Sequence, residues 1–188
     1  MRNLKLVLFA SIALIMSSCA SVYYSPGAKQ IATSHQKIAV IPPTVSIAAR
    51  RKIDAEAIKE QQETESLNFQ KEMYSWLLTR KRRNKMQVNI LDVETTNAKL
   101  AKAGYFNNNT MTPNEIAKLL DVDAIMTSNY ALSKPISEGA AIAISILTDI
   151  SAPTNEARVT LEIHDKTTED MIWNYNHTLS GSVGTSSH

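Results

Sequence analysis

The stretch "TPNEIAKLLDVDAIMTSNYAL", Thr112–Leu132, carries the strongest fold signal in the chain. Thr112 can cap a helix that begins at Pro113, and Glu115 completes a capping box three residues after the cap. The apolar residues of the helix recur at helical spacing and predict a buried face, formed by Ile116, Leu119 and Leu120. The stretch therefore predicts a capped helix that leads into a strand over 124–132.

Two further elements precede this stretch. "KIAVIPP", Lys37–Pro43, is a short apolar run closed by two prolines, which predicts a buried strand that stops at the prolines. Residues 54–85 contain no glycine or proline and are rich in helix-forming residues, so they predict a long helix. Its apolar residues return at helical spacing from Leu67 onward. We therefore expect its second half to pack on a sheet while its first half projects or frays.

Alternation of apolar and polar residues marks the remaining strands. "MQVNILDV", Met86–Val93, predicts a second strand, after which Thr95 or Thr96 caps a short helix over 97–103. A hairpin is predicted around "DKTTED", residues 165–170. The side chains predicted to face its core are Val159, Leu161, Ile163, Met171, Trp173 and Tyr175, and those predicted to face outward are Glu162, His164, Asn174 and Asn176.

The order of these elements predicts an α/β (α+β) fold. We expect a single three-layer-like domain with a mixed sheet, helices packed on it and a C-terminal β-hairpin. The apolar segment Gly139–Ile150 lies between two predicted strands and has two interpretations. It is either core or an exposed patch that docks a partner or touches the membrane, since monomers seldom expose large apolar surfaces.

The N-terminus has the pattern of a secretory signal. Met1–Ser18 begins with the cations Arg2 and Lys5 and continues with an apolar core over Leu6–Met16. That core is too short to cross a bilayer, which takes about 20 apolar residues. The predicted signal ends immediately before Cys19. Because Cys19 is the single cysteine of the chain, an intrachain disulfide is excluded.

The segment Met16–Cys19, in which small residues lead to the cysteine, resembles the lipobox of bacterial lipoproteins. The resemblance implies cleavage before Cys19 and attachment of acyl chains, palmitate among them, which hold a protein on a membrane. Lipoproteins of this kind that stay in the inner membrane tend to carry aspartate after the cysteine, so with Ala20 the resemblance implies delivery to the outer membrane, on its periplasmic face. The alternative is that Cys19 is a thiol beside an ordinary cleavage site. We expect a signal peptide over 1–18, a lipidated tether over 19–36 and a periplasmic domain over 37–188, with a flexible tail from about 180.

Composition narrows the range of partners. The chain of 188 residues has 20 basic and 18 acidic side chains. Loss of Arg2 and Lys5 with the signal leaves a neutral mature chain, which argues against nucleic acid as a partner.

Three segments together resemble a known group of proteins. "KIAVIPP", "EIAKLLDVDAIMTSNYAL" and "RVTLEIHDKTTEDMIWNYN" follow one another as in envelope lipoproteins that include the curli secretion lipoprotein and the lipoprotein activators of penicillin-binding proteins. The resemblance covers about Lys37 to Thr178. It departs at the end: the group usually continues into a terminal helix, whereas this sequence ends "SGSVGTSSH", so either the helix is absent or the C-terminus is truncated.

The resemblance implies a function but transfers no catalytic residue. It implies an outer-membrane lipoprotein that binds envelope proteins and helps to assemble or regulate cell-wall synthesis or secretion machinery, without being an enzyme. One alternative is a self-assembling ring or pore subunit of a secretion system, so a homo-oligomer stays open. Another is an envelope enzyme with an unrecognised site.

Few side chains suggest a chemical site, and we predict no catalytic residue, no cofactor and no metal. His164, Asp165 and His177 have the residue types of a zinc site, but strand alternation places the two histidines on opposite faces. His35 lies in the predicted tether and forms no constellation. The run "RKRRNK" has two interpretations: contact with an anionic surface or an acidic partner, and favourable cations at a helix C-terminus. Its cations are Arg80, Lys81, Arg82, Arg83 and Lys85.

Overall fold

The computed structural model describes residues 20–48, 55–107, 110–132 and 157–179. Within these ranges the elements in chain order are β1 (Ser21–Tyr24), α1 (Ala28–Ser34), β2 (Lys37–Val40), β3 (Thr44–Ile47), α2 (Ala55–Arg82), β4 (Asn89–Ile90), α3 (Val93–Lys102), α4 (Pro113–Leu120), β5 (Ala124–Leu132), β6 (Ala157–Asp165) and β7 (Met171–Leu179). The predictions for Cys19, Gly139–Ile150 and the tail from about 180 fall outside these ranges. None of the described helices combines the length and the apolar character that a membrane span requires.

The seven described strands form one mixed sheet in the order β1-β7-β6-β5-β2-β4, with β3 also beside β5. β2 and β3 run parallel to β5, and β4 runs parallel to β2. β6 pairs antiparallel with β5, β7 with β6, and β1 with β7. The mixed sheet and the C-terminal hairpin β6–β7 confirm the predicted α/β (α+β) class.

Two prolines divide what would otherwise be one strand. Ile38–Val40 pairs with Ala124–Met126, and Thr44–Ile47 pairs with Asn129–Leu132. The intervening Pro42–Pro43 has no backbone N–H to donate to the ladder. Val40 and Thr44 are four residues apart, but their partners on β5, Met126 and Asn129, are only three apart. The segment between β2 and β3 therefore carries one extra residue, which bulges out of the pairing. The predicted stop at the prolines is confirmed, but the sequence did not predict that β3 resumes immediately.

Helices cover both faces of the sheet and create three layers. On one face α2 packs through Phe69, whose ring stacks on that of Tyr130 with centroids 4.1 Å apart and an interplanar angle of 3°. Burial raises the pKa of Tyr130 to about 12. On the opposite face, α3 and α4 pack against β5 through Leu100 and Leu120, which form a second buried cluster with Ile125.

Capping residues set where the short helices begin. Thr112 and Glu115 form the predicted capping box at the start of α4. α3 differs from the prediction, because Asp92 accepts a hydrogen bond from the Thr95 backbone N–H and starts the helix at Val93. That hydrogen bond lowers the pKa of Asp92. The predicted strand over 86–93 is therefore reduced to Asn89–Ile90.

The ordered domain starts earlier than Lys37. β1 pairs with β7, with Val22 opposite Tyr175 and Tyr24 opposite Trp173. Gly27, at φ 75°, then turns the chain into α1. The segment over 21–34 is therefore part of the sheet and its cover, which differs from the predicted tether through Gln36.

The hairpin has the predicted alternation up to one irregularity. Leu161 lies opposite Tyr175 and Ile163 opposite Trp173, on the same face as the α2 core. A register shift follows between Ile163 and His164. Because of this bulge, Ile172 is the fully buried side chain at the start of β7, whereas the prediction had placed Met171 in the core.

Candidate functional site

A buried, hydrogen-bonded pair of side chains fixes α1 against the rest of the domain. His35 follows the last turn of α1, and its Nε2 lies 2.6 Å from Asp165 Oδ1 at the end of β6. Their side chains are 6% and 3% exposed. The other oxygen of Asp165 accepts hydrogen bonds from the backbone N–H groups of Thr167 and Thr168, at 2.9 and 2.6 Å. The pair therefore joins α1 to the turn of the β6–β7 hairpin.

Two carboxylates hold the chain between α1 and β2. Burial acts to raise the pKa of Asp165, but hydrogen bonds from Thr168 and His35 outweigh it and leave that pKa lowered. Asp123 Oδ2 accepts the backbone N–H groups of Gln36 and Lys37 at 2.8 and 3.0 Å. The hydrogen bond from Gln36 is the main reason that the pKa of Asp123 is also lowered. Both groups therefore act here as ionised acceptors.

The position of α1 creates an apolar groove, which we call the α1–α2 groove. It lies between α1, α2 and the sheet face formed by β5, β6 and β7, and its volume is about 590 Å³. The residues that line it are Tyr24, Ala28, Lys29, Ala32, Met73, Trp76, Leu77, Met126, Leu161, Ile163, Ile172, Trp173 and Tyr175. The chain contains two tryptophans, and both belong to this lining.

Aromatic rings and two cations shape the α1–α2 groove. Along β7 the rings of Trp173 and Tyr175 stack with centroids 6.1 Å apart. Across the groove the Arg80 guanidinium carbon lies 4.7 Å from the centroid of the Trp76 ring, a cation–π arrangement. Lys29, on exposed α1, is the one charged residue in the lining as described. The groove therefore presents hydrocarbon inside and positive charge beside it.

Two buried polar atoms have no hydrogen-bond partner within the described part of the chain. They are Glu65 Oε2, on α2, and His177 Nδ1, on β7. Burial raises the pKa of Glu65, although a hydrogen bond with Asn68 acts in the opposite direction. Sequence analysis did not identify Glu65, because it occurs in a polar run that gives no sign of burial.

β1 forms an exposed edge of the sheet. It is the terminal strand on its side, and among the described residues no strand pairs with its outer edge. Val22, Tyr23 and Tyr24 are 46%, 49% and 66% exposed. The strand "SVYY" contains neither lysine nor proline, the residues with which natural proteins often protect an edge. The edge therefore has the geometry that accepts an added strand.

The predicted basic cluster lies at the C-terminal end of α2. Arg80, Lys81 and Arg82 occupy the last turn, where the helix dipole favours cations. Arg83 and Lys85 follow it and are exposed. Within the described ranges, none of these five side chains pairs with a carboxylate. Cys19, the predicted acylation point, lies outside the described residues.

The residues considered for zinc do not converge. His177 lies opposite Val159 on the groove face, whereas His164 pairs with Ile125 on the other face and contacts Glu162 at 3.0 Å. The predicted placement of the two histidines on opposite faces is confirmed. The described residues contain no group of three or more side chains arranged to hold a metal ion. The expectation that His35 forms no constellation is wrong, since it pairs with Asp165.

Comparisons with known proteins give likenesses in structure only. No protein-family model and no curated protein sequence matches the chain. The structure is similar to the C-terminal domain of LpoB from Salmonella enterica, with a TM-score of 0.41 and 9% identity over 77% of this chain and 82% of that one. It is also similar to lipoprotein GNA1162 from Neisseria meningitidis, with a TM-score of 0.42 and 10% identity over 80% and 84%.

A third similar structure is a PelC dodecamer from Paraburkholderia phytofirmans, with a TM-score of 0.35 and 11% identity over 87% of this chain and 82% of that one. LpoB is an activator lipoprotein of penicillin-binding proteins. The structural neighbours thus include a member of the lipoprotein group that the sequence resembles.

Proposed function

We propose that this chain is a bacterial lipoprotein, anchored through Cys19 to the periplasmic face of the outer membrane, whose domain binds another envelope protein. The sequence resemblance supports a partner in cell-wall synthesis or secretion machinery, which the domain helps to assemble or regulate. The observation that carries the proposal is the exposed outer edge of β1, with Val22, Tyr23 and Tyr24 each about half exposed or more.

A partner strand satisfies this edge better than lipid does. The outer edge of β1 presents backbone N–H and C=O groups without a strand beside them in the described part of the chain. In hydrocarbon such groups would lose their hydrogen bonds to water, at several kcal/mol each. An added strand supplies those hydrogen bonds and covers the exposed apolar side chains. The edge therefore favours a protein partner over direct insertion in the membrane.

The edge also lies close to the proposed anchor. Ser21 follows Cys19 by two residues, and two extended residues span at most about 7 Å. An anchor there would hold β1 at the membrane surface. Confinement beside a membrane-bound partner raises the effective concentration, so that even a weak interface is occupied.

A binding role rather than catalysis accords with how the polar side chains are used. His35 and Asp165 contact each other and backbone groups at the sheet end. In the described part of the chain, no serine hydroxyl forms a hydrogen bond with His35. The pair lacks the neighbouring nucleophile that acyl-transfer chemistry needs, so we propose that the domain is not an enzyme.

In-cell photocrosslinking tests the proposal. The full chain would carry a photoreactive phenylalanine at position 23 in β1, or, as a control, at position 67 in α2, where Leu67 is 40% exposed. We expect adducts with one envelope protein from position 23 and not from position 67. A ladder of multiples of the chain itself would instead support the self-assembling ring. Adducts with lipid alone would show that β1 lies in the membrane surface.

Acylation is tested separately. Cys19→Ser should abolish labelling by an acyl-chain probe and release the protein from membranes, because no acyl chain would remain. Persistence of the label in this variant would contradict the proposed lipobox, whatever the crosslinking shows.

A further inference from the structure

The chemistry of the α1–α2 groove limits what it can hold. Its lining consists almost entirely of carbon, from Met73, Trp76, Leu77, Leu161, Ile163 and Trp173 among others. A peptide backbone or a sugar in such a groove would leave donors and acceptors without partners, which costs about 1–3 kcal/mol each by mutational data. A hydrocarbon chain has no such groups. The interior therefore fits an aliphatic ligand.

The size of the groove is that of a ligand site. Its volume of about 590 Å³ lies within the roughly 300–1,000 Å³ of pockets that bind small molecules. A second recess of about 150 Å³ adjoins it and shares Ala32, Leu77, Met126 and Ile163 with its lining. The two recesses are therefore neighbours on the same apolar face of the sheet.

The charge around the groove selects an anionic ligand. Lys29 belongs to the lining on the α1 side, and Arg80 lies over Trp76 on the α2 side. Neither cation forms an ion pair with a carboxylate in the described ranges. An anionic headgroup beside an aliphatic chain would place its charge near these two cations, where it is attracted, while the chain enters the apolar interior.

We propose that the α1–α2 groove binds one acyl chain of an anionic membrane phospholipid. Access to such a lipid rests on the proposed anchor, because Tyr24 lines the groove at the end of the strand that follows Cys19. The binding itself does not depend on the protein partner of β1. The proposal of lipid binding and the proposal of partner binding can therefore be supported or contradicted independently of each other.

The two tryptophans provide a direct test, since both Trp76 and Trp173 line the groove. The protein would be the full chain with Cys19→Ser, so that no acyl chain is attached there. The probe would be phosphatidylglycerol with dibrominated acyl chains, because bromine quenches tryptophan emission only at contact. We expect at least a twofold loss of emission that saturates near one lipid per chain, and little loss with the unbrominated lipid.

Matched variants on α1 locate the site. Ala32 is exposed and lines the groove, so Ala32→Phe should fill it without disturbing the core and should weaken quenching at least tenfold. Gln30→Ala, on the same helix, outside the lining and without a change of charge, should leave quenching unchanged. Lys29→Gln should weaken binding of brominated phosphatidylglycerol severalfold and leave binding of brominated phosphatidylcholine unchanged.

Two results would overturn the inference. One is unquenched emission from the wild-type groove at saturating brominated phosphatidylglycerol. The other is equal quenching in the Ala32→Phe variant, which would place the lipid elsewhere on the protein. Circular dichroism of each variant would verify that the fold is retained, so that lost quenching reports on the groove.

Discussion

His35 Nε2 lies 2.6 Å from Asp165 Oδ1 across a sequence separation of 130 residues, and the contact closes one end of the domain. It ties α1, which covers the α1–α2 groove, to the hairpin that forms the groove floor. The shape of the α1–α2 groove therefore depends on two side chains that do not line it.

The first prediction concerns this pair. His35→Ala removes a nearly buried partner and leaves Asp165 with only its backbone hydrogen bonds, so we expect a loss of about 1–3 kcal/mol in the free energy of unfolding. Hydrogen exchange in α1 should accelerate, since α1 loses its link to the hairpin. The control is His164→Ala, whose side chain contacts Glu162 within the same strand and should leave exchange in α1 unchanged. Unaltered exchange in both variants would contradict the role of His35.

The second prediction is a loss of stability in acid. The pKa of Asp165 is lowered from its ordinary value of 3.8, so the folded state binds its proton less readily than the unfolded state. The resulting stabilisation is complete well above that value and is lost as the pH falls below it. Denaturant titrations between about pH 6 and pH 2 should show this decline. Asp165→Asn should be less stable at neutral pH and should decline less steeply, and a slope equal to that of the wild type would argue against the assignment.

The third prediction concerns Glu65, whose contribution to stability has the opposite pH dependence. Burial raises its pKa, so ionisation at neutral pH opposes folding, and this penalty vanishes as the pH falls below its ordinary value of 4.5. Glu65→Met keeps a straight side chain in the helix and removes the unpartnered Oε2. We expect it to stabilise the domain at pH 7, by about 1–3 kcal/mol, and less at pH 4. Glu60→Met, at an exposed position of α2, should change little.

Local signals explain which parts of the fold were predictable. The capping box of Thr112 and Glu115, the long helix α2 and the alternation in β6 and β7 each depend on residues close in sequence. Pro42 and Pro43 similarly predict the break in the strand. In each case the residue that determines the structure lies within one or two turns, or within one strand, of the element that it shapes.

Long-range pairing explains what was missed. "SVYY" is only four residues long, and it becomes a strand because β7 lies beside it. α1 has no side-chain cap and no acidic residue in its first turn, so its sequence gives little sign of a helix. The groove and the His35–Asp165 pair both require α1 in place. The candidate site therefore emerges only from the tertiary structure, whereas acylation at Cys19 is predicted from sequence alone and stays a prediction.

The last prediction tests the edge of β1 as the partner-binding surface. Tyr23 is half exposed and β1 has no lysine to protect its edge, so Tyr23→Lys places a charge where an approaching strand would lie. We expect this variant to lose its envelope partner in cell extracts, at least tenfold, while it stays membrane-bound and equally stable. Leu67→Lys introduces the same charge at a similarly exposed position of α2 and should retain the partner. Because neither change alters Cys19 or the groove lining, equal loss from both variants would show that the partner binds elsewhere, and undiminished binding by Tyr23→Lys would exclude strand addition at β1.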